Sequence, residues 1–371
     1  MDNIDTIVIG AGQAGLASGY QLKRRDIPFL ILESSGRIGD GWRRHWDSLR
    51  LFTPGRYSSL PGLRTPVGRS AFATKDELAD YLQAYAARFD LPLRLGVSVT
   101  GVAVTADGFE LTTTAGPLRA RHVVVASGPN RIPRVPAFAS RLDPGIRQMH
   151  SSEYRNPQGV PAGDVLVVGA GTSGAQIALE LAATRRVSIA GRPTVRVPDA
   201  VLRYAGAAYW FLLSNVLTIG TPPGRKVATV FGKRGAPLIN ISMKQLAAAG
   251  VTRLPRISGV EDGLPVAGEN GVVTAATIIW ATGYRPDLAW LPPVPVTEEG
   301  TPVTRRGLVT ELPGLYFVGM PYQYGLTSGL IGGVGRDADF IAGLIAAAQS
   351  ASPTKSAETG TTGAPSRLPL S

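Results

Sequence analysis

The chain has 371 residues, 44% of them hydrophobic, with 45 glycines and a formal net charge of +11, a length that suits two domains with sizeable cores. It contains no cysteine, which excludes disulfides, thiolate metal sites, cysteine nucleophiles and a redox-active cysteine pair. Its 38 Lys and Arg residues are scattered without a basic block, so no nucleic-acid partner is expected, and three histidines with no recognisable triad or cluster give no metal site.

Residues 4–9 form an apolar run that ends at Gly10, a helical pattern covers about 14–25, and a second apolar run, 29–32, ends at Glu33. This is a strand, glycine turn, helix and strand in succession. Within Gly10-Ala11-Gly12-Gln13-Ala14-Gly15 the first glycine permits the tight turn. The second lets the backbone approach a pyrophosphate, and the third allows close helix–strand packing. The helix N-terminus offers free N–H groups and a positive dipole end to phosphates. Glu33, 18 residues beyond Gly15, can accept hydrogen bonds from both ribose hydroxyls. The N-terminal placement favours FAD. Gly41, Trp42 and Arg43 are expected along the flavin side of that cofactor, with Thr53 and Gly128 as further contacts.

Residues 109–114 and 118–126 read as strands that close this first unit, and 129–136, with three prolines, as a linker. The unit then recurs about 160 residues on. Strand 165–168 leads into Gly169-Ala170-Gly171-Thr172-Ser173-Gly174, a helix over about 173–184 and a strand over 186–190. No acid stands where Glu33 stood. Arg192 can instead take the 2′-phosphate of NADP by a forked contact, with Arg185 and Arg186 as nearby candidates. The second site is therefore assigned to NADPH.

Residues 204–224 hold no charge. Gly206, Asn215, Pro222 and Pro223 argue against a membrane span, so no transmembrane segment is expected. The stretch reads as a buried helical pair in the second domain, or as an apolar wall over the substrate site. Strand 276–281 ends at Thr282-Gly283-Tyr284, strand 314–318 ends at Gly319, and a last helix covers about 335–349. The tail, 350–371, is rich in Ser, Thr, Pro and Gly and reads as disordered. No leader is read before the first strand, so a cytoplasmic protein is expected.

With both glycine motifs placed, the chain resembles the class B flavin monooxygenases. It is similar to small bacterial flavoproteins labelled as potassium-transport or metal-resistance oxidoreductases, and more distantly to the plant flavin monooxygenases of auxin synthesis. The resemblance spans about residues 4–345. Besides the cradles it rests on Trp46-Asp47-Ser48-Leu49-Arg50-Leu51 with Thr53-Pro54, on His150-Ser151-Ser152-Glu153-Tyr154-Arg155, and on Trp280-Ala281-Thr282-Gly283-Tyr284. Two departures stand out. Pro144 and Ile146 replace the Phe and Gly of the family's identifying motif, of which His150 and Tyr154 fit, and Met320 follows Gly319 where an Asp is common.

The resemblance implies an α/β fold of two Rossmann-like dinucleotide-binding domains, the NADPH domain inserted into the FAD domain. The boundaries are 1–145 with 285–349 for FAD and 146–284 for NADPH. It implies that His150 links the domains and helps position NADP, and that Ala281, Thr282 and Gly283 lie at the NADPH site. It also implies a flavin-mediated reaction in which a C4a-hydroperoxyflavin oxygenates a small organic substrate with dioxygen, at N or S or by a related oxidation. Tyr322, Gln323 and Thr327, after Gly319, are candidates to face flavin and substrate together with Tyr324. Trp46 and Asn240 are weaker candidates. The alternative is an NADPH oxidase, or a reductase that passes electrons to a quinone or other acceptor. A third option, a redox-sensing module without turnover, uses the same two sites. The sequence leaves the oligomeric state open, a homodimer included.

Overall fold

In the computed structural model, which describes residues 2–231 and 237–351, the strand Asp2–Ile9 lies inside a seven-stranded sheet. Thr6, Ile7 and Val8 are fully buried, because a central parallel strand is covered on both faces. Its parallel neighbours are Phe29–Glu33 and Leu118–Val125, and Leu93–Leu95 extends the sheet beyond Phe29–Glu33. Leu118–Val125 divides its second edge between two partners. Its first residues pair antiparallel with Gly108–Thr113, and residues 123–125 pair in parallel with Leu315–Phe317. The C-terminal part of the chain thus returns to complete the N-terminal sheet.

A second sheet of five parallel strands has the order Arg147–His150, Thr277–Trp280, Val165–Val168, Val187–Ala190, Thr252–Leu254. Its own apolar core gathers Leu166, Val168, Ala190, Ile278 and Trp280, and takes in Ala139, Leu142 and Ile146 from before the sheet begins. The chain enters and leaves this inserted unit at one place. Ile132–Pro133 pairs antiparallel with Tyr284–Arg285, the Arg134 N–H donates to the Gly283 carbonyl at 2.9 Å, and the Thr282 hydroxyl donates to the Arg134 carbonyl.

The glycine-led helices are Gln13–Lys23 and Thr172–Leu181. The last helix is Ile331–Ala351, one turn longer at its start than the sequence pattern predicts. Gly332 and Gly335 are small for packing reasons. A Cβ at Gly332 would lie 2.1 Å from the Tyr57 carbonyl oxygen, and one at Gly335 2.3 Å from the Pro61 ring. Ser350 and Ala351 belong to that helix; the rest of the predicted tail lies outside the described residues. A helix that the sequence reading missed, Lys75–Arg88, opens with a capping box. Thr74 Oγ1 accepts from the Glu77 N–H while the Glu77 carboxylate accepts from the Thr74 N–H, which stabilises a helix start by about 1 kcal/mol.

The uncharged stretch is not a buried helical pair. It forms the short helix Gly206–Phe211, one π-type turn at Leu212–Val216 and the start of the helix Pro222–Phe231. Only Gly206, Trp210, Thr218 and Gly224 are buried, while Tyr204 is 80% and Phe211 63% exposed. Within Gly206–Phe211 helical spacing turns Trp210 inward and leaves Ala208 and Phe211 on the outer side. The stretch is held against residues after Gly319: the Ile219 N–H donates to the Tyr324 carbonyl at 2.8 Å, and Thr218 bridges to Gly325. Among the described residues no helix is long and apolar enough to cross a membrane.

Candidate functional site

Two glycine cradles stand at the carboxyl ends of the two sheets, and they are copies of each other. In the first, Gly10 adopts φ +105°. A Cβ there would lie 2.8 Å from the Ala126 carbonyl oxygen, and one at Gly15 only 1.8 Å from that of Gly10. In the second, Gly169 adopts φ +117°. Its added Cβ would meet the Ala281 carbonyl oxygen at 2.2 Å, and one at Gly174 that of Gly169 at 1.9 Å. The middle glycines, Gly12 and Gly171, differ from these: nothing lies within 4 Å of an added Cβ. Each caps its helix with extended backbone and no side-chain hydrogen bond, so the first-turn N–H groups of Gln13, Ala14, Thr172 and Ser173 border open space. A phosphate fits that space because the helix N-terminus offers it donors and a favourable dipole.

The copy extends to residues that the sequence reading did not pair. Ala126-Ser127-Gly128 and Ala281-Thr282-Gly283 follow equivalent strands. Ala126 donates to Ile9 and Ala281 to Val168, and Gly128 and Gly283 adopt φ +79° and +84°. The two strand endings, Val-Val-Val-Ala-Ser-Gly and Ile-Ile-Trp-Ala-Thr-Gly, carried this signal. The Ser127 hydroxyl is buried without a hydrogen-bond partner, an orphaned group beside the first cradle.

Glu33 closes the first cradle. One carboxylate oxygen accepts the Ala11 N–H at 2.7 Å and the other accepts the Ser35 N–H at 2.9 Å. A carboxylate offers about four acceptor positions, so these bonds fix its orientation and leave capacity for hydroxyls. Trp42 is half-buried and directs its indole N–H to the Gln13 side chain at 3.4 Å. Gly41 is exposed and its added Cβ would meet nothing, whereas a Cβ added at Gly39 would lie 2.8 Å from Ala79. Two residues expected at the FAD site, Arg43 and Thr53, also hold partners within the protein. The Arg43 guanidinium is committed to the Ile38 carbonyl at 2.7 Å and the Asp80 carboxylate at 2.6 Å. The buried Thr53 hydroxyl is closed on Ser58 at 2.8 Å.

At the second cradle Arg192 is exposed just past the strand Val187–Ala190. Arg185 and Arg186 precede that strand, at the end away from the cradle. Arg185 holds the Pro161 and Val160 carbonyls, and Arg186 pairs with Asp164 at 3.4 Å. Both are corrected as phosphate candidates, since ligands of such sheets bind at the carboxyl ends of the strands. The Thr172 hydroxyl is turned to the Pro237 carbonyl at 2.9 Å, which leaves its N–H as the group facing the cradle; Ser173 is exposed.

His150 is a clasp between chain crossings. The Ser152 N–H reaches its Nδ1 at 3.2 Å, and its Nε2 lies 3.1 Å from the Gly283 carbonyl. These partners place the proton on Nε2, so the neutral ring donates to Gly283. Burial lowers its pKa, with Gly283 and Glu153 opposing. The ring also stands edge-on to Tyr284, 4.8 Å between centroids. Tyr154, fully buried, donates to Glu180 on the second cradle's helix at 2.8 Å. The segment is pinned across to the first unit, where Asp47 takes bonds with Arg155 and Asn156.

After the final strand, Gly319 at φ +88° packs on Ala14, and Met320 is buried in the apolar core. The Gln323 amide donates to the Phe317 carbonyl at 2.8 Å and accepts from Met320, bracing the turn. The Tyr322 hydroxyl donates to the Leu217 and Gly224 carbonyls at 3.1 and 2.6 Å, anchoring the uncharged stretch. Thr327 lines a cavity of about 140 Å³ shared with Tyr57 and Trp210. Trp46 is buried with its indole N–H unpaired, and Asn240 is exposed in a left-handed turn at φ +57°. Behind Thr327, burial raises the Asp337 carboxyl to about 6, against the pull of Ser328, Arg306 and Arg336. Among the described residues no cluster of His, Asp and Glu is placed to hold a metal ion.

The arrangement is one that known proteins share. The model of the pyridine nucleotide-disulphide oxidoreductase family matches residues 7–201. An uncharacterized CzcO-like oxidoreductase of Geobacillus kaustophilus is 39% identical over 340 residues, which make up 91% of this chain and 97% of that protein. The rice indole-3-pyruvate monooxygenase YUCCA1 (Oryza sativa) is 36% identical over 190 residues, 47% of this chain and 44% of the relative. A solved flavin-containing monooxygenase from Stenotrophomonas maltophilia superposes with a TM-score of 0.75 at 24% identity, covering 94% of this chain and 100% of that one; that likeness is one of fold.

Proposed function

The chain belongs to the pyridine nucleotide-disulphide oxidoreductase family, and from that premise we propose that it is an FAD- and NADPH-dependent monooxygenase of a small organic substrate. The observation that carries the proposal is the doubled cradle: two helix N-termini, each with a glycine facing open space, joined by paired chain crossings. Such an arrangement serves two dinucleotides that exchange hydride. The chain has no cysteine, so a disulfide-exchange step through its own thiols is excluded. The monooxygenase names of the rice relative and of the bacterial structure support oxygen insertion.

FAD is assigned to Gly10, Gly12, Gln13, Ala14, Gly15 and Glu33, with Trp42, Ser127, Gly128 and Gly319 around them. NADPH is assigned to Gly169, Gly171, Thr172, Ser173, Gly174 and Arg192, with Ala281, Thr282 and Gly283. His150 positions the NADPH side by holding Gly283. Bound FAD supplies hydride acceptance and the activation of dioxygen. The protein binds and orients the reactants and excludes water. Overall, NADPH, a proton, dioxygen and substrate give NADP+, water and the oxygenated substrate. We place the domain crossings at Ile132–Pro133 and Tyr284–Arg285, because Ala139 and Ile146 already belong to the second core.

The test is turnover under oxygen-18 gas with NADPH and a panel of sulfides, amines and carbonyl compounds. One labelled oxygen in the product per NADPH oxidised is the expected result. One hydrogen peroxide per NADPH, with no label in any organic product, would replace the reading with an oxidase. Electron transfer to a quinone without oxygen uptake would replace it with a reductase.

A further inference from the structure

The helix Gly206–Phe211 and the turn Leu212–Val216 leave one face uncovered. Ala207, Ala208, Phe211, Leu212 and Asn215 are exposed, and steps of three and four residues set side chains on one side of a helix. All but Asn215 are apolar, and the exposed Tyr204 stands just before them. A contiguous apolar face of this kind marks a docking surface, whereas single exposed apolar residues do not.

The charge around the face has one sign. Residues 200–260 contain no Asp or Glu, and Arg225, Lys226, Lys244, Arg253 and Arg256 among them are exposed. Two cations border the stretch directly. Arg336, from the last helix, donates to the Ser214 carbonyl and, at 3.3 Å, to the Asn215 side chain on the uncovered face. Arg225 donates to the Ile219 carbonyl at 3.3 Å, with Lys226 beside it on the helix Pro222–Phe231.

We propose that this face docks on the surface of an anionic lipid bilayer. Tyr204, Phe211 and Leu212 enter the headgroup boundary, and the surrounding cations meet lipid phosphates. The contact is interfacial, since no helix among the described residues is long and apolar enough to cross a membrane. Charge separates this occupant from a second copy of the chain, whose face would bring the same cations against Arg336 and Arg225. The inference is independent of which oxidation the protein performs.

The test is co-sedimentation of the full-length, FAD-loaded protein with vesicles of phosphatidylcholine alone, and of phosphatidylcholine and phosphatidylglycerol in equal parts. The mixed vesicles should bind it at least about tenfold more tightly, since each cation near such a surface contributes about fivefold. Added salt should release it. Phe211→Ser with Leu212→Ser should weaken binding about tenfold or more, and Arg225→Ser with Lys226→Ser by a similar factor. These side chains are exposed, so both variants should keep the parent's melting temperature and FAD content. Val104→Ser, which removes an exposed apolar side chain from the strand Val99–Thr105, should bind like the parent. No binding to the mixed vesicles, equal binding to both kinds, or binding that survives the loss of Phe211 and Leu212 would overturn the assignment. A dimer that those two changes dissolve would overturn it too, because the face would then belong to a second copy.

Discussion

Alanine at Gly12 and alanine at Gly15 should fail in opposite ways, although the residues stand three apart in one motif. A Cβ on Gly15 lies 1.8 Å from the Gly10 carbonyl oxygen, and real Cβ contacts are essentially never below 3.0 Å, so backbone must move by more than about 1 Å in a packed layer. Overpacking of this kind costs about 1–3 kcal/mol or more, and a domain of this size loses about 2–4 °C of melting temperature per kcal/mol. Gly15→Ala should therefore melt several degrees lower even without FAD. Gly12→Ala meets no protein atom within 4 Å, and its backbone, at φ −76° and ψ −172°, is open to alanine. Its apoprotein should stay within about 1 kcal/mol of the parent. The methyl group instead occupies the space assigned to pyrophosphate. Losing one charged hydrogen bond, worth about 1.5–3 kcal/mol, weakens FAD binding about tenfold to 150-fold. Melting of FAD-stripped protein, paired with FAD titration, separates the two effects. Gly171→Ala and Gly174→Ala should repeat the contrast, with the KM for NADPH as the binding readout. Full FAD affinity in Gly12→Ala, or equal destabilisation at positions 12 and 15, would refute the cradle assignment.

Two further outcomes follow from charged groups. Arg192→Ala should raise the KM for NADPH about tenfold or more and leave that for NADH unchanged. Arg186→Ala, which removes an exposed pair with Asp164, should change neither; an equal effect on both nucleotides would remove Arg192 from the 2′-phosphate. The buried Asp337 carboxyl is raised to about 6 from an ordinary value near 4. Its contribution to native stability is thus complete below about pH 4 and is lost as the pH rises through 6, by about 3 kcal/mol in total. Urea unfolding of the parent and Asp337→Asn should accordingly show their stability difference shifting in favour of the variant between pH 4 and 8; a difference independent of pH would contradict this.

What the sequence made legible was local. The cradles could be read because their six-residue glycine spacing is local, and Gly15 and Gly174 are held small by the backbone of Gly10 and Gly169, five residues back. The flanking strands could be read because a buried parallel strand is an unbroken apolar run, and Val165–Val168 was placed to the residue. Strand polarity was available too: Arg185 and Arg186 come before their strand and so could not face a site at its carboxyl end. Thr74 and Glu77 spelled out a helix start that went unread. Other features had no local trace. The Arg43 side chain is claimed by Asp80, 37 positions away, and the turn braced by Gln323 shows only when folded. The uncharged stretch was misjudged because lack of charge does not reveal whether a residue such as Phe211 faces inward or solvent.

Pro133 and Tyr284 are register partners, so the two ends of the inserted half stand about 5 Å apart. A segment whose ends are that close can be spliced into a loop of a finished sheet without changing any strand's register in the host. The duplicated cradle, repeated down to the Ala-x-Gly that ends each central strand, therefore stands on a unit that the host sheet can carry without re-pairing any of its own strands.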